Sequence, residues 1–201
     1  PGPLNEAHAA RLERLIEQVR RAGQIAQWLR PAGYDPELVY LLTSLQNLGR
    51  LVLRYHFPEE AVQIDHLMKP AAPEHAGDPE QPGMTEEAAS YAVLGIDIHA
   101  LANAMGRQWG LDDAVLHMMQ RAPLNAPVRA SELDDEMLRL TASCANEVVD
   151  ATAVAAHHVV SALQKVTQRY GRILGLSLRD VQLVSQGHPP EPKTPQEVRA
   201  T

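Results

Sequence analysis

Cysteine is almost absent from this chain. Cys144 is the single one among 201 residues, so no intrachain disulfide can form. A domain of this length buries roughly 70% of the surface its unfolded form would expose, and it needs no such staple. One thiol fits a reducing compartment, and the expected location is cytoplasmic. Aromatic residues are scarce, at 4%, and no stretch alternates β-branched or aromatic residues with polar ones, so no β-sheet is expected. Long apolar runs are missing as well. None reaches the ~18 residues of a membrane span, and nothing has the layout of a secretory signal. An excess of positive charge is also lacking: 18 Lys and Arg stand against 25 Asp and Glu, for a net charge of −7. The chain therefore has no general basic face with which to displace the counterions of a polyanion, which argues against nucleic acid as a partner.

Ala and Leu are plentiful, and both favour helices. The spacing of apolar residues predicts an all-α chain of about six to eight helices. The first covers Asn5 to Arg30, with Leu12, Leu15, Val19, Ala22, Ala26 and Leu29 inward, and Pro31 and Gly33 end it. Asp35-Pro36-Glu37 reads as a helix start, with a capping carboxylate and a proline at the first helical position. That helix is expected to reach Tyr55 with Leu38, Leu41, Leu42, Leu45, Leu48 and Val52 on its inner stripe. Pro58-Glu59-Glu60 opens a shorter one to Met68. Lys69 to Gly83 holds four prolines and reads as loop. Thr85 caps a long helix to Gln108, with Tyr91, Leu94, Ile98, Leu101 and Met105 inward. Further helices are expected at Ala114 to Arg121, Asp134 to Asp150 and Val154 to Leu174, with a short one after Ser177. Residues 1–4 read as an appended remnant, 5–186 as one helical domain, and 187–201 as a disordered, proline-rich tail.

One stretch is specific. Asp35-Pro36-Glu37-Leu38 leads into Leu45-Gln46-Asn47-Leu48-Gly49-Arg50-Leu51-Val52-Leu53. This resembles the central helix of the HDOD domain, a bacterial signalling module related to HD-type metal phosphohydrolases, whose pattern there is Leu-Leu-His-Asp-Ile-Gly-Lys/Arg-Leu. Two further blocks agree in order: Pro58-Glu59-Glu60, and Leu94-Gly95 leading to Trp109-Gly110-Leu111. The resemblance covers roughly residues 12 to 150. It implies an HD-like helical bundle, with this chain holding the C-terminal portion of the family domain plus a helical extension.

The departures carry the functional reading. An HD phosphohydrolase holds divalent metal with a His, a His-Asp pair and a further Asp, and the metal makes hydroxide available near neutral pH. By the resemblance, the His-Asp pair falls on Gln46 and Asn47, the later Asp on Asn146, and the first His near Glu17. The additional family His falls on Ile98, beside His99, and the family's His-His falls near Ala122-Pro123. Amides are poor ligands for a hydrolytic metal. The expectation is therefore no catalytic residue, no metal and no cofactor, with Glu17, Gln46, Asn47 and Asn146 as vestigial positions. Gln46, Asn47 and Asn146 read either as the lining of a leftover pocket or, preferably, as buried amides tying helices together.

Other chemistry-bearing residues read as structural. His157 and His158 are adjacent and on a helix would point about 100° apart, which suits a surface pair better than a ligand pair. His99 and His117 lack a metal-binding spacing around them. Cys144 sits on an inward stripe without a His partner, as a buried thiol does. The resemblance thus implies a non-catalytic regulatory domain in bacterial signal transduction, acting on another signalling protein or an adjoining domain of its own chain, with homodimerisation left open. The segment Asn47 to Arg50 followed by Tyr55 to Glu60 is similar to HDOD regions in chains that carry a protein kinase. The alternative is a metal-dependent phosphohydrolase of nucleotides or cyclic dinucleotides, with a rearranged site drawn from Glu17, Glu86, Glu87, His99 and His117. A third reading keeps the fold and makes the leftover pocket a small-molecule sensor.

Overall fold

A computed structural model describes residues 5–70, 82–124, 126–129 and 133–190. The expected remnant at 1–4, the centre of the proline-rich break and the tail beyond Pro190 lie outside the described residues. Among those described, every regular element is helical: α1 (Glu6–Leu29), α2 (Pro36–Leu45), α3 (Leu48–His56), α4 (Pro58–Leu67), α5 (Glu86–Leu94), α6 (Ile98–Gln108), α7 (Asp113–Met118), α8 (Asp134–Thr152), α9 (Val159–Leu174) and α10 (Leu178–Ser185), with a 3₁₀ turn at Ala156–His158. No helix among them is long and apolar enough to cross a membrane.

Among the described residues ten α-helices replace the six to eight expected, because long stripes are interrupted. The helix expected to run from Pro36 to Tyr55 breaks at Gln46 and Asn47. Asn47 takes φ −104° and ψ 4°, the turn-like bridge region rather than the helical one. The helix expected from Thr85 to Gln108 breaks at Gly95, which adopts a left-handed conformation with φ 71°. Asp97 then caps α6 by accepting the Ala100 N–H at 2.8 Å. Val154 does not begin the last long helix, since the 3₁₀ turn precedes α9. Asp134 is the first residue of α8, as expected; its carboxylate accepts the Tyr34 hydroxyl at 2.8 Å. The Asp35 cap forms as expected, accepting the N–H groups of Glu37 and Leu38 at 2.7 and 2.9 Å. Thr85 caps α5 through the Ala88 N–H, and Ser177 with Asp180 forms a reciprocal capping box on α10.

The residues expected as one domain over 5–186 divide into two compact units. Unit 1 takes residues up to Ile16 and Asn47–Asp112; unit 2 takes Glu17–Gln46 and residues from Asp113 onward. In unit 1, α3 packs on α4 and α6, and α5 packs on the same two. Leu53, Ala61, Ile64, Ala89 and Ile98 form its core. Gly49 allows this packing: a Cβ there would run into the Ile98 carbonyl oxygen. The Ser90 hydroxyl accepts the Ile98 N–H at 3.2 Å, and Arg50 grips Glu86 with bonds of 2.7, 3.0 and 2.7 Å.

Unit 2 is organised on α8, which packs against α2, α7, α9 and α10. Every residue of α8 from Leu138 to Val149 is buried, among them Ala142, Cys144, Ala145 and Val148 at zero exposure. Its core adds Ile25, Ala26, Val39, Leu42, Leu163, Val166, Tyr170, Val181 and Val184. Some expected inward positions turn outward. Leu38 and Leu41 on α2 are 42% and 53% exposed, and Tyr91 on α5 is 65% exposed. α2 is 10 residues long, and Val39, Leu42 and Thr43 supply its buried face instead.

Candidate functional site

The vestigial positions do not all meet. Glu17 lies on the exposed face of α1, its side chain 72% accessible and paired with Arg20 at 3.4 Å. Its carboxylate takes no part in any buried cluster, contrary to the expected placement in the old site. Asn47 is buried and immediately precedes α3 in unit 1. Gln46 and Asn146 do meet, in the interior of unit 2, and they bond to each other directly.

The joint is built from the end of α2 and the middle of α8. Asn146 Nδ2 donates to Gln46 Oε1 at 3.1 Å and to the Thr43 carbonyl at 3.3 Å. Gln46 Nε2 donates to the Met118 carbonyl at 3.0 Å and the Arg139 carbonyl at 3.2 Å. Ser143 accepts the Ala122 N–H at 3.0 Å, and its hydroxyl lies 3.3 Å from Gln46 Oε1, to which it donates. A primary amide has two N–H groups and two lone pairs on its oxygen. All four of Gln46 are therefore engaged by the protein itself. Ser143 escaped the sequence reading. Its signal was there, since residues 139, 143 and 146 follow each other at spacings of four and three and so share one face of α8.

These side chains belong to a larger clamp on the irregular chain after α7. Gln46 holds the Met118 carbonyl. Arg139, itself buried, donates from Nε to the Gln120 carbonyl at 2.8 Å and from Nη2 to the Arg121 carbonyl at 3.2 Å. Ser143 takes the Ala122 N–H, and Arg169 on α9 donates to the Pro123 carbonyl at 3.0 Å. A partly buried segment without helix or sheet must find partners for its peptide groups, and here side chains from the end of α2, from α8 and from α9 provide them.

Behind the clamp lies the second polar feature of unit 2. Glu147 accepts the Tyr170 hydroxyl at 2.6 Å and Arg169 at 3.1 Å. Burial raises the Glu147 carboxyl above its ordinary value, and the Tyr170 bond and Arg169 charge oppose that rise. Burial first, and the Glu147 charge after it, push both the Tyr170 hydroxyl and the Cys144 thiol upward. Cys144 has no accessible surface. Native protein is therefore expected to leave a thiol reagent such as Ellman's reagent unreacted, and to release one equivalent of chromophore on unfolding in urea. Rapid labelling of the folded chain would contradict this burial.

The remaining candidates stand as separate pairs. His99 meets Glu87 at 3.4 Å, His117 meets Glu136 at 3.2 Å, and Glu86 is occupied by Arg50. Among the described residues no group of three or more His, Cys, Asp and Glu is placed to hold a metal ion. The donor set at Gln46 and Asn146 does not fit a hydrolytic metal either. One amide oxygen already accepts two hydrogen bonds, and the other residue presents its NH₂ to the joint. His157 and His158 are both exposed. Their rings lie 3.9 Å apart between centroids.

No known protein family, no curated protein and no solved structure gives a significant match to the chain.

Proposed function

We propose that the chain is a non-catalytic regulatory domain of the HDOD kind that acts through contacts with another signalling protein or an adjoining domain. One observation carries the reading: where an HD enzyme would place imidazole and carboxylate, Gln46 and Asn146 spend their hydrogen bonds on each other and on backbone carbonyls of unit 2. Such a joint holds shape, and the Gln46 oxygen, which already accepts from Ser143 and Asn146, has no lone pair left for a Lewis acid. The outward Leu38 and Leu41 on α2, one turn apart, support a role in contacts, since neighbouring exposed leucines suit a partner better than water.

The test is direct. The purified chain is incubated with manganese and a panel of nucleotides and cyclic dinucleotides. The expected result is no stoichiometric metal after desalting and no hydrolysis product. One equivalent of tightly held manganese or zinc together with turnover would overturn the proposal and favour the phosphohydrolase reading.

A further inference from the structure

Unit 1 carries an open groove of about 490 Å³ where α4 passes the beginning of α1 and the end of α5. Val62, Leu67 and Val93 give it apolar lining, and Arg11, His66 and Lys69 line it as well. The volume lies within the range of small-molecule sites. The charge pattern is what sets it apart. Elsewhere in unit 1, the two half-buried arginines of α3 are matched to carboxylates, Arg50 to Glu86 at 2.7 Å and Arg54 to Asp65 at 2.8 Å. Asp65 also borders the groove, but Arg54 claims both its oxygens, at 3.0 and 2.8 Å. Among the described residues, no carboxylate pairs with Arg11, His66 or Lys69. In a chain with a net charge of −7, three nitrogen donors on one concave surface without a counter-ion among the described residues run against the general balance.

We infer that this groove binds a small amphipathic anion: an oxyanion head, phosphate monoester or carboxylate, on a short apolar tail. Arg11 offers a planar fork suited to two oxygens at once, Lys69 adds a compact charge, and His66 supplies a further donor. The tail lies on Val62, Leu67 and Val93, where each buried methylene adds to affinity. Head and tail are both required, because an exposed charge contact alone is weak and screened by salt. The inference is independent of the regulatory reading above, since the groove shares no residue with the Gln46 joint.

The experiment is calorimetric titration of the full chain with octyl phosphate below its micelle concentration, beside inorganic phosphate and octanol. Octyl phosphate is expected to bind one to one and at least tenfold tighter than either fragment. The double variant Arg11→Gln, Lys69→Gln is expected to weaken it tenfold or more with unchanged thermal unfolding. Arg14→Gln, on the same helix but outside the groove, is expected to leave it unchanged. Equal affinity for inorganic phosphate, an equal loss in Arg14→Gln, or no binding would overturn the inference. So would stronger binding to phosphatidylglycerol vesicles or to an acidic peptide, either of which would make this a macromolecular surface.

Discussion

Gln46→Leu lowers the stability of unit 2 by about 3 kcal/mol, read from urea unfolding followed by circular dichroism. The leucine fits the space roughly, but it abandons the Met118 and Arg139 carbonyls and removes the acceptor shared by Ser143 and Asn146. A buried polar group left without a partner costs on the order of 1–3 kcal/mol, and several are left at once here, although Ser143 and the Arg139 carbonyl keep other bonds. Gln46→Glu keeps the shape and changes the sign of the problem. Its carboxylate would face two carbonyl oxygens with no N–H to give them. Burial and those dipoles raise its pKa above the unfolded value near 4.3, so the folded chain binds the proton more tightly than the unfolded one. Stability of that variant then falls as pH rises from about 4.3 through the raised value, and its deficit against the parent chain is larger at pH 7 than at pH 4.5. A loss below about 0.5 kcal/mol for Gln46→Leu would show that the amide joint contributes little.

Gly49→Ala damages unit 1 to a similar extent, by about 3 kcal/mol. The added methyl meets the Ile98 carbonyl oxygen, which is backbone at the start of α6 and cannot swing aside as a side chain would. To make room α3 must draw away from α6, which also loosens the core contacts of Leu53 with Ile98. Melting temperature and the urea midpoint both report the change. An alanine variant as stable as the parent would mean that α3 and α6 stand farther apart than their backbones indicate.

These two positions also show what the sequence could and could not reveal. The glycine and the amides were singled out by the resemblance of Leu45 to Leu53 to a family pattern, and the all-helical class followed from Ala and Leu content and the absence of alternation. Capping chemistry was legible at Asp35 and Thr85, where a side chain acts on its own nearest peptide groups. The breaks were less so. The inner stripe from Leu38 to Val52 reads as continuous, yet Gln46 is drawn to peptide groups 72 and 93 residues away, and local spacing carries no record of such distant partners. At Gly95-Ile96-Asp97 the signals of a helix end and a new cap were present, and the unbroken apolar period outweighed them. Glu17 failed for a different reason. A register carried across a whole helix by resemblance is free to slip, and a shift of one or two residues moves a side chain from the interior to the solvent. Ser143 and Arg139 were missed because hydrophobic patterning scores apolar residues and passes over the polar ones on the same face.

The enclosure of α8 has a consequence for how this molecule can change over time. From Leu138 to Val149 no side chain has an outward-facing alternative. Several are as small as Ala142, Ser143, Cys144 and Ala145, so neighbouring helices lie close along them. Enlarging any of these would have to be answered on two or three elements at once. Innovation by single steps is thereby steered away from the axis of unit 2 and toward its periphery, where an altered residue needs no simultaneous reply.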